Sequence, residues 1–509
     1  MSGALTWLDD RLNPVLVKEV RQALRGKQFR SSFTFTLVIS VIVAVTIVLG
    51  AADRASWTPI GPPFFIGIFA CLTLAVIGFV PMAAYQAMGS EWDENTYDML
   101  SLSHLRPRHI VLGKLLAAGV QALLYFSIFG FFSVFTFLLG GVDPSLVAVA
   151  IPMLALSSLA LSSLAVALSS LSQKRAVRVV LMVVLAAALV GVVFGSIGMV
   201  VSSIETSLDF SLPEVRAALS AMLVSAFVLG GLCFVLACSR LAHPEENRST
   251  GLRAFGFVLV LVGMYWVGWM YEQVGQAEVV GYLSCLVVLA IGLLGTFFLT
   301  EREQLGLRVA AHLPPGLPVR LLVLPWMPGG GRGTLWLLGM LGLVLAWSWQ
   351  LLDASPAATA FSMVPSDRHE MFGLVLAAAA YTVLYLGVVS AVWSNRQSDL
   401  KRTIRARVMV PTMVLGGILL PAILGFLLQD RDLAGAEHLG NPLWVFDRMG
   451  RLGNEAYLDS PAAPVFALAG LALLLQLPRV VRGILEVLRG PVLPPRLDEA
   501  GDELPAPPA

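Results

Sequence analysis

The sequence predicts an all-α integral membrane protein with about twelve transmembrane helices, and three observations support this prediction. The 509 residues are 57% hydrophobic and only 13% charged, with a mean hydropathy of +0.80, whereas about a quarter of the residues in a soluble globular domain are charged. Apolar runs long enough to cross a hydrocarbon core of about 30 Å recur along the whole chain. The runs are continuous rather than alternating, which is typical of transmembrane helices and not of a β-barrel.

Twelve apolar runs can be placed in order, the last being the shortest. We predict spans at 33–52, 64–88, 115–139, 146–171, 177–203, 217–241, 254–271, 279–300, 334–352, 371–393, 408–428 and 462–477. They divide the chain into a cytoplasmic N-terminus (1–32), two six-span units (33–253 and 254–490) and a tail (491–509). The tail is rich in proline and acidic residues, so we expect it to be disordered.

Similar features in the two halves favour two degenerate copies of a six-span unit. The fourth span continues into the fifth through the basic loop 172–178, and the tenth into the eleventh through the basic loop 394–402. The second and eighth spans both end in acidic residues. Short basic loops also recur by chance, so two unrelated halves remain an alternative.

The distribution of positive charge predicts that both termini are cytoplasmic. If the spans alternate from a cytoplasmic N-terminus, all but six of the 34 lysines and arginines, including every lysine, fall on the cytoplasmic side. This asymmetry is what the positive-inside rule describes. We therefore expect a multi-pass protein of the cell (inner) membrane. The preference for arginine over lysine and the abundance of Ala, Leu and Gly are typical of a bacterial chain.

Several functional classes find no support in the sequence. No phosphate-binding loop of the form GxxxxGK[ST] is present. The four cysteines lie in apolar spans without CxxC spacing, and no catalytic or metal-binding pattern is recognisable. We therefore expect no catalytic, cofactor or metal site, and no nucleic-acid partner. No ionisable residue falls in the middle of a predicted span, which weakens an ion- or proton-coupled transporter.

A basic amphipathic helix is predicted before the first span. Asn13 and Pro14 form a typical helix start. Lys18, Arg21 and Arg25 then share one face, opposite a face of leucine and valine. Such a helix is expected to lie in the membrane interface, in contact with the lipid bilayer. A basic flank that only sets the topology is compatible with the same pattern.

The polar segment between the second and third spans, residues 89–114, is longer than a simple connector requires. Acidic residues come first and basic residues follow, with apolar side chains between them. We interpret the segment as a docking surface, in which charges pair with a partner and apolar residues supply binding energy. The alternative is a solvated amphipathic loop. The candidate docking residues are Glu91, Asp93, Glu94, Tyr97, Asp98, Met99, Leu100, Leu105, Arg106 and Arg108.

Two further features concern packing and loops. Ser158, Ser162, Ser169 and Ser172 cluster on one side of the fourth span. Small residues on one face let helices approach closely, so packing is favoured over a polar lining for a substrate path. The inner loop 301–333 is too rich in proline and glycine for one continuous helix. It contains either a short interfacial helix around 319–324 or only a covering loop. On the outer side, the longest loop is predicted at 429–462.

This order of elements resembles the membrane subunit of type-2 ABC exporters, a permease family with an interfacial elbow helix and six spans per half. The resemblance is clearest over residues 13–240, and its motif is carried by the polar segment. Asn95 stands where the family has glycine, and His104 stands where it has proline. The matching positions are Glu91, Asn95–Thr96, Met99–Leu100, 103–105, 106–108 and Gly113–Lys114.

The resemblance implies a permease subunit of an ATP-driven transporter, most simply an exporter, that is not itself an enzyme. A separate cytoplasmic ABC ATPase dimer would bind ATP and Mg²⁺ and dock on the polar segment. One chain would supply both halves of the pathway if the repeat is real, and two chains would pair otherwise. The rival interpretations are an ion- or proton-coupled secondary transporter and a non-transporting scaffold or assembly factor.

Overall fold

The computed structural model describes most of the chain, and every regular element in the described part is a helix. This confirms an all-α, multi-pass membrane protein. Eleven described helices are long and apolar enough to cross a membrane. The described residues are 14–52, 59–94, 107–172, 174–206, 209, 211–242, 247–301, 309, 313–314, 316–353, 365–394, 407–419, 441–442, 445 and 463–489.

The helices are numbered in chain order. In the first half they are α1 (Pro14–Arg25), α2 (Lys27–Ala52), α3 (Gly61–Asp93), α4 (Pro107–Leu139), α5 (Pro144–Ser170), α6 (Arg175–Thr206) and α7 (Pro213–Leu241). In the second half they are α8 (Thr250–Val274), α9 (Ala277–Leu299), α10 (Leu317–Val323), α11 (Gly330–Asp353), α12 (Pro365–Ser394), α13 (Arg407–Leu419) and α14 (Ala463–Arg489).

Eleven of the twelve predicted spans coincide with these long helices. The span predicted at 408–428 is described only as far as α13, so the count of twelve stays a prediction. The last span is longer than the sequence indicated, because α14 continues through Pro478 to Arg489. Proline is tolerated in transmembrane helices where neighbouring groups satisfy the freed backbone, and it therefore does not mark the end of the helix. The tail at 491–509 and most of the outer loop 429–462 lie outside the described residues.

The first compact unit comprises Met1–Ala242, and α3 lies at its centre. Helix α3 packs against α2, α4, α5 and α6, while α5 also packs against α7. Large side chains fill this core, among them Phe65, Phe69 and Phe129. The core fixes the second half of α3 and the beginning of α4, which carry the ends of the polar segment.

Helix α3 contains a π-helical stretch at Leu74–Phe79. A proline that follows this stretch explains why one of its carbonyls is bonded by a side chain of another helix. The amide of Val80 donates to the carbonyl of Ala75, five residues back. In that register the next donor would be the amide of Pro81, which proline does not have. The hydroxyl of Ser158 on α5 donates to the carbonyl of Val76 instead, at 2.7 Å. A buried carbonyl is thus satisfied by a side chain of the neighbouring helix.

The second compact unit, His243–Ala509, begins a little before the predicted boundary at 253. Its second spanning helix, α9, packs against α8, α11 and α12, and α12 packs against α14. The same pairings occur in the first unit, where the second helix packs against the first, third and fourth and the fourth against the sixth. The repeat stays a prediction, but both units arrange these helices in the same order.

Close backbone contact between α11 and α9 makes Gly333 sensitive to substitution. A Cβ at Gly333 would lie 2.7 Å from the carbonyl oxygen of Phe298, whereas a Cβ at Gly339 in the same helix meets nothing within 4 Å. We expect Gly333→Ala to lower the free energy of unfolding by about 1–3 kcal/mol, because overpacked backbone must move apart. Gly339→Ala, the control, should be neutral or slightly stabilising. Denaturant titration of the purified protein in detergent measures both, and equal effects would contradict the prediction.

Candidate functional site

Helix α1 packs against α4 with a buried acidic residue on its packing face. Lys18, Arg21 and Arg25 are exposed, in agreement with an amphipathic helix, while Glu19 is buried. The predicted cap Asn13 lies outside the described residues. The sequence interpretation did not single out Glu19. The only signal was one carboxylate on an otherwise apolar helix face.

Lys114, at the beginning of α4, is the centre of an ion cluster formed by Lys18, Glu19, Glu91 and Lys114. Its ammonium group donates to Glu19 Oε1 at 2.7 Å and to the carbonyl of Ala87 at 2.9 Å. It also lies 3.6 Å from Glu91 Oε1, and its side chain is only 1% exposed. Lys18 on α1 donates to the same Glu91 oxygen at 3.0 Å. The two ends of the polar segment are therefore joined to each other and to α1.

The charges of the ion cluster also raise the pKa of Lys18, the exposed lysine of the cluster. Partial burial by itself would lower the pKa of Lys18, but the hydrogen bond to Glu91 and the charges of Glu91, Glu19 and Glu94 raise the pKa above its usual value. The contribution of Lys18 to stability is therefore present at all pH values below its ordinary pKa and is lost only above it.

A second ion pair attaches the end of α3 to α6. Arg178, near the start of α6, is buried and pairs with Asp93, whose side chain is about half exposed. The hydroxyl of Tyr85 on α3 donates to the carbonyl of Arg178 at 2.6 Å. Arg178 also donates to the carbonyl of Ser172 at 3.4 Å. A displacement of the end of α3 would therefore act on α6 as well as on α1 and α4.

A cavity of about 880 Å³ lies beside the ion cluster, between α1, α2, α3 and α4. Polar side chains line one part of it and aromatic side chains line another. Ser32 and Tyr125 share a hydrogen bond of 2.7 Å between their hydroxyl groups in its wall. The lining residues that matter most for its chemistry are Glu19, Glu91, Lys114, Gln121, Tyr125 and Phe35.

The structure separates the candidate docking residues into three groups. Glu91 is buried and faces two lysines, which the sequence did not indicate, and its role in docking stays a prediction. Asp93 is half exposed in its ion pair, and Glu94 and Arg108 are exposed. The remaining candidates lie outside the described residues; they are Tyr97, Asp98, Met99, Leu100, Leu105 and Arg106.

The serine face of the fourth span belongs to helix contacts. Ser158, Ser162 and Ser169 are completely buried, and a Cβ at Gly89 on α3 would meet the hydroxyl of Ser169. Ser172 lies beyond the end of α5, where its hydroxyl accepts a hydrogen bond from the amide of Lys174 at 3.1 Å. None of the four serines lines the cavity. This geometry fits packing and not a pathway through the described part of the first unit.

The second unit has its own buried cation at the end of the loop 301–333. Arg253, at the start of α8, donates to Glu301 at 2.7 Å and to the carbonyl of Gly329 at 3.1 Å. The guanidinium lies 5.0 Å from the ring centre of Phe298. The loop contains the short helix α10, as one of the two sequence alternatives predicts, and its place at the membrane interface stays a prediction. Arg253 and Glu301 were interpreted only as flanking charges, because no local pattern distinguishes a buried pair from a solvated one.

The described residues contain no group of three or more His, Cys, Asp or Glu that could hold a metal ion. Comparison of the chain with models of protein families, with characterised proteins and with solved structures gave no match. The functional argument therefore depends on the geometry of this site.

Removal of Lys114 should weaken the first unit far more than removal of Lys18. Lys114→Met leaves Glu19 as a buried carboxylate without its hydrogen-bond partner and removes one of the two lysines that face Glu91. The loss is expected to cost about 3–5 kcal/mol of unfolding free energy. Lys18→Met removes a side chain that is 49% exposed and should cost at most about 1 kcal/mol. Thermal and denaturant unfolding in detergent compare the two variants. A Lys114→Met variant no less stable than Lys18→Met would show that the ion cluster does not brace α1.

Proposed function

We propose that this chain is the transmembrane permease subunit of an ATP-driven ABC transporter, most simply an exporter, coupled to a separate ATPase. The observation that supports it best is the ion cluster, which joins both ends of the polar segment to the interfacial helix α1. A loop that only connects two helices needs no buried lysine, since burial of a charge is costly unless it is paired. A segment that receives force from a partner does need rigid attachment.

The ion pairs at the end of α3 would transmit a movement of the polar segment to neighbouring helices. The acidic end of the segment is tied to α1 and α4 through Glu91, and to α6 through the ion pair of Asp93 with Arg178. A partner that displaces the segment would therefore move three helices together. In this proposal the ATPase dimer binds ATP and Mg²⁺, and the permease rearranges its helices to move the substrate through the cell membrane.

The position of the buried charges favours this function over an ion-coupled carrier. In the described part of the first unit, the buried charged residues are Glu19, Glu91, Lys114 and Arg178. Glu91, Lys114 and Arg178 lie near the ends of spanning helices, and Glu19 lies on α1. Carriers that move protons or ions commonly hold ionisable groups in the middle of the membrane. The charges described here brace helix ends instead.

The two units support two arrangements of the pathway. Their matching helix pairings fit one chain that supplies both halves, as a pseudo-dimer. If the repeat is not real, two chains would pair as a homodimer. The second unit holds its own loop through Arg253 and Glu301, and a second ATPase contact there is part of the proposal.

Charge reversal on the exposed part of the polar segment tests the coupling. Glu94→Lys combined with Arg108→Glu should reduce co-purification of the co-expressed ATPase by at least about tenfold, because rim charges orient and hold such a partner. Glu272→Lys is the control, since Glu272 is exposed near the end of α8, on the side of the membrane that the sequence predicts to be outside. Unfolding temperatures of the permease variants should stay equal to that of the unaltered protein. The companion measurement is ATP hydrolysis by the complex in lipid vesicles.

The outcomes separate the candidate functions. Loss of the ATPase with an intact permease supports docking at the polar segment. Retention of the ATPase in the double variant would place the contact elsewhere. Transport in vesicles without nucleotide would indicate a secondary transporter, and an ATPase-independent chain with no transport would indicate a scaffold.

A further inference from the structure

The cavity of the first unit has a graded lining along one face of α4. Lys114, Gln121 and Tyr125 are separated by seven and four residues, so they lie on the same side of the helix. At 1.5 Å per residue, Lys114 and Tyr125 are about 16 Å apart along the axis. Ala117 and Ala118 lie between them and leave space. The lining therefore runs from charged through polar to aromatic over the length of a small amphiphile.

The charged end of the cavity can accept hydrogen bonds but has little capacity to donate them. A lysine ammonium has three N–H donors, and Lys114 has three acceptor groups around it in Glu19, Ala87 and Glu91. A carboxylate has room for several donors, and Glu19 receives only the bond from Lys114 among the described residues. Glu91 is paired with Lys18 as well as facing Lys114, so each carboxylate of this end has a lysine partner. The acceptor capacity that remains on Glu19 favours a ligand that brings N–H donors.

Gln121 is an independent sign of a ligand. Its side chain is buried, with 8% of the residue exposed, and it lines the cavity. Within the described part of the chain its carboxamide has no hydrogen-bond partner. Buried polar groups in native structures are nearly always paired with protein, water or ligand. Its carboxamide oxygen can accept a hydrogen bond from an N–H donor of a ligand in the cavity.

The other end of the cavity is aromatic and opens toward the apolar surroundings. The rings of Phe29 and Tyr125 lie 5.8 Å apart, and those of Phe35 and Phe79 lie 6.4 Å apart. Phe35 is on the spanning helix α2 and is 52% exposed. An apolar chain could therefore enter from the hydrocarbon region, and aromatic faces also attract cations that pass them.

We propose that this cavity binds an amphiphile with a protonated amine headgroup. Its ammonium group donates to Glu19 and Gln121, and its apolar body lies along Tyr125, Phe79 and Phe35. An ethanolamine phospholipid and a soluble long-chain amine share this chemistry. The site would hold the amphiphile against α1 and α4 at the membrane interface. The inference needs neither an ATPase nor transport, and it can fail or hold independently of the proposed function.

Binding to the purified full chain in detergent tests the site. Native mass spectrometry would compare phosphatidylethanolamine with phosphatidylglycerol of identical acyl chains, and dodecylamine would be titrated as a competitor. We expect the ethanolamine lipid to bind at least about tenfold more tightly than the glycerol lipid, and dodecylamine to displace it. Gln121→Leu should weaken amine binding about tenfold, which is the effect of one lost hydrogen bond to a charged group. Gln350→Leu, at an exposed glutamine of the second unit, should change nothing.

A second variant keeps the test decisive if Gln121→Leu lowers stability. Gln121→Glu adds an acceptor charge at the same position and should strengthen amine binding. Binding of dodecylamine without binding of the ethanolamine lipid would support the amine site and identify a soluble source. Equal binding of both phospholipids, with no effect of either Gln121 variant, would overturn the proposal. Preference for phosphatidylglycerol would overturn it as well.

Discussion

The burial of one lysine determines how the first unit is organised. Lys114 is stable in its position only because Glu19 arrives from α1, Glu91 from α3 and a carbonyl from Ala87. Each of these partners is therefore constrained in turn, and α1 cannot move away from α4 without taking Glu19 from the buried ammonium of Lys114. The same residues also line the cavity, so the ion cluster and the cavity share Glu19, Glu91 and Lys114.

The second unit also pairs a buried cation with an acid at a helix end, but it uses different residues. There an arginine at the start of the first spanning helix, Arg253, pairs with Glu301 at the end of the second and fixes the following loop through the carbonyl of Gly329. In the first unit the cation stands at the start of the third spanning helix instead. The acid at the end of the second helix is common to both. A guanidinium can serve several carbonyls at once, which suits a loop rich in proline and glycine.

Much of the fold could be predicted from the sequence, but little of the site. Continuous apolar runs define spans because a membrane requires internally satisfied backbones, and eleven of the predicted spans coincide with long helices. The predicted span at 462–477 covers only the apolar part of α14, which continues through Pro478 into a more basic stretch. Glu19 and Gln121 could not be identified, because their importance comes from neighbours distant in the chain. The burial of Glu91 could not be predicted for the same reason: charge is visible in a sequence, whereas burial is a property of packing.

The π-helical stretch of α3 has a consequence for the direction of the side chains that follow it. Its wider turn advances the side-chain faces that follow by about one residue relative to a continuous α-helix. The side chains of Tyr85, Glu91 and Asp93 thus point in directions that a continuous α-helix would not give them. Ser158 satisfies the carbonyl of Val76 within the altered stretch. The register change therefore helps to direct these three side chains toward their partners on α1, α4 and α6.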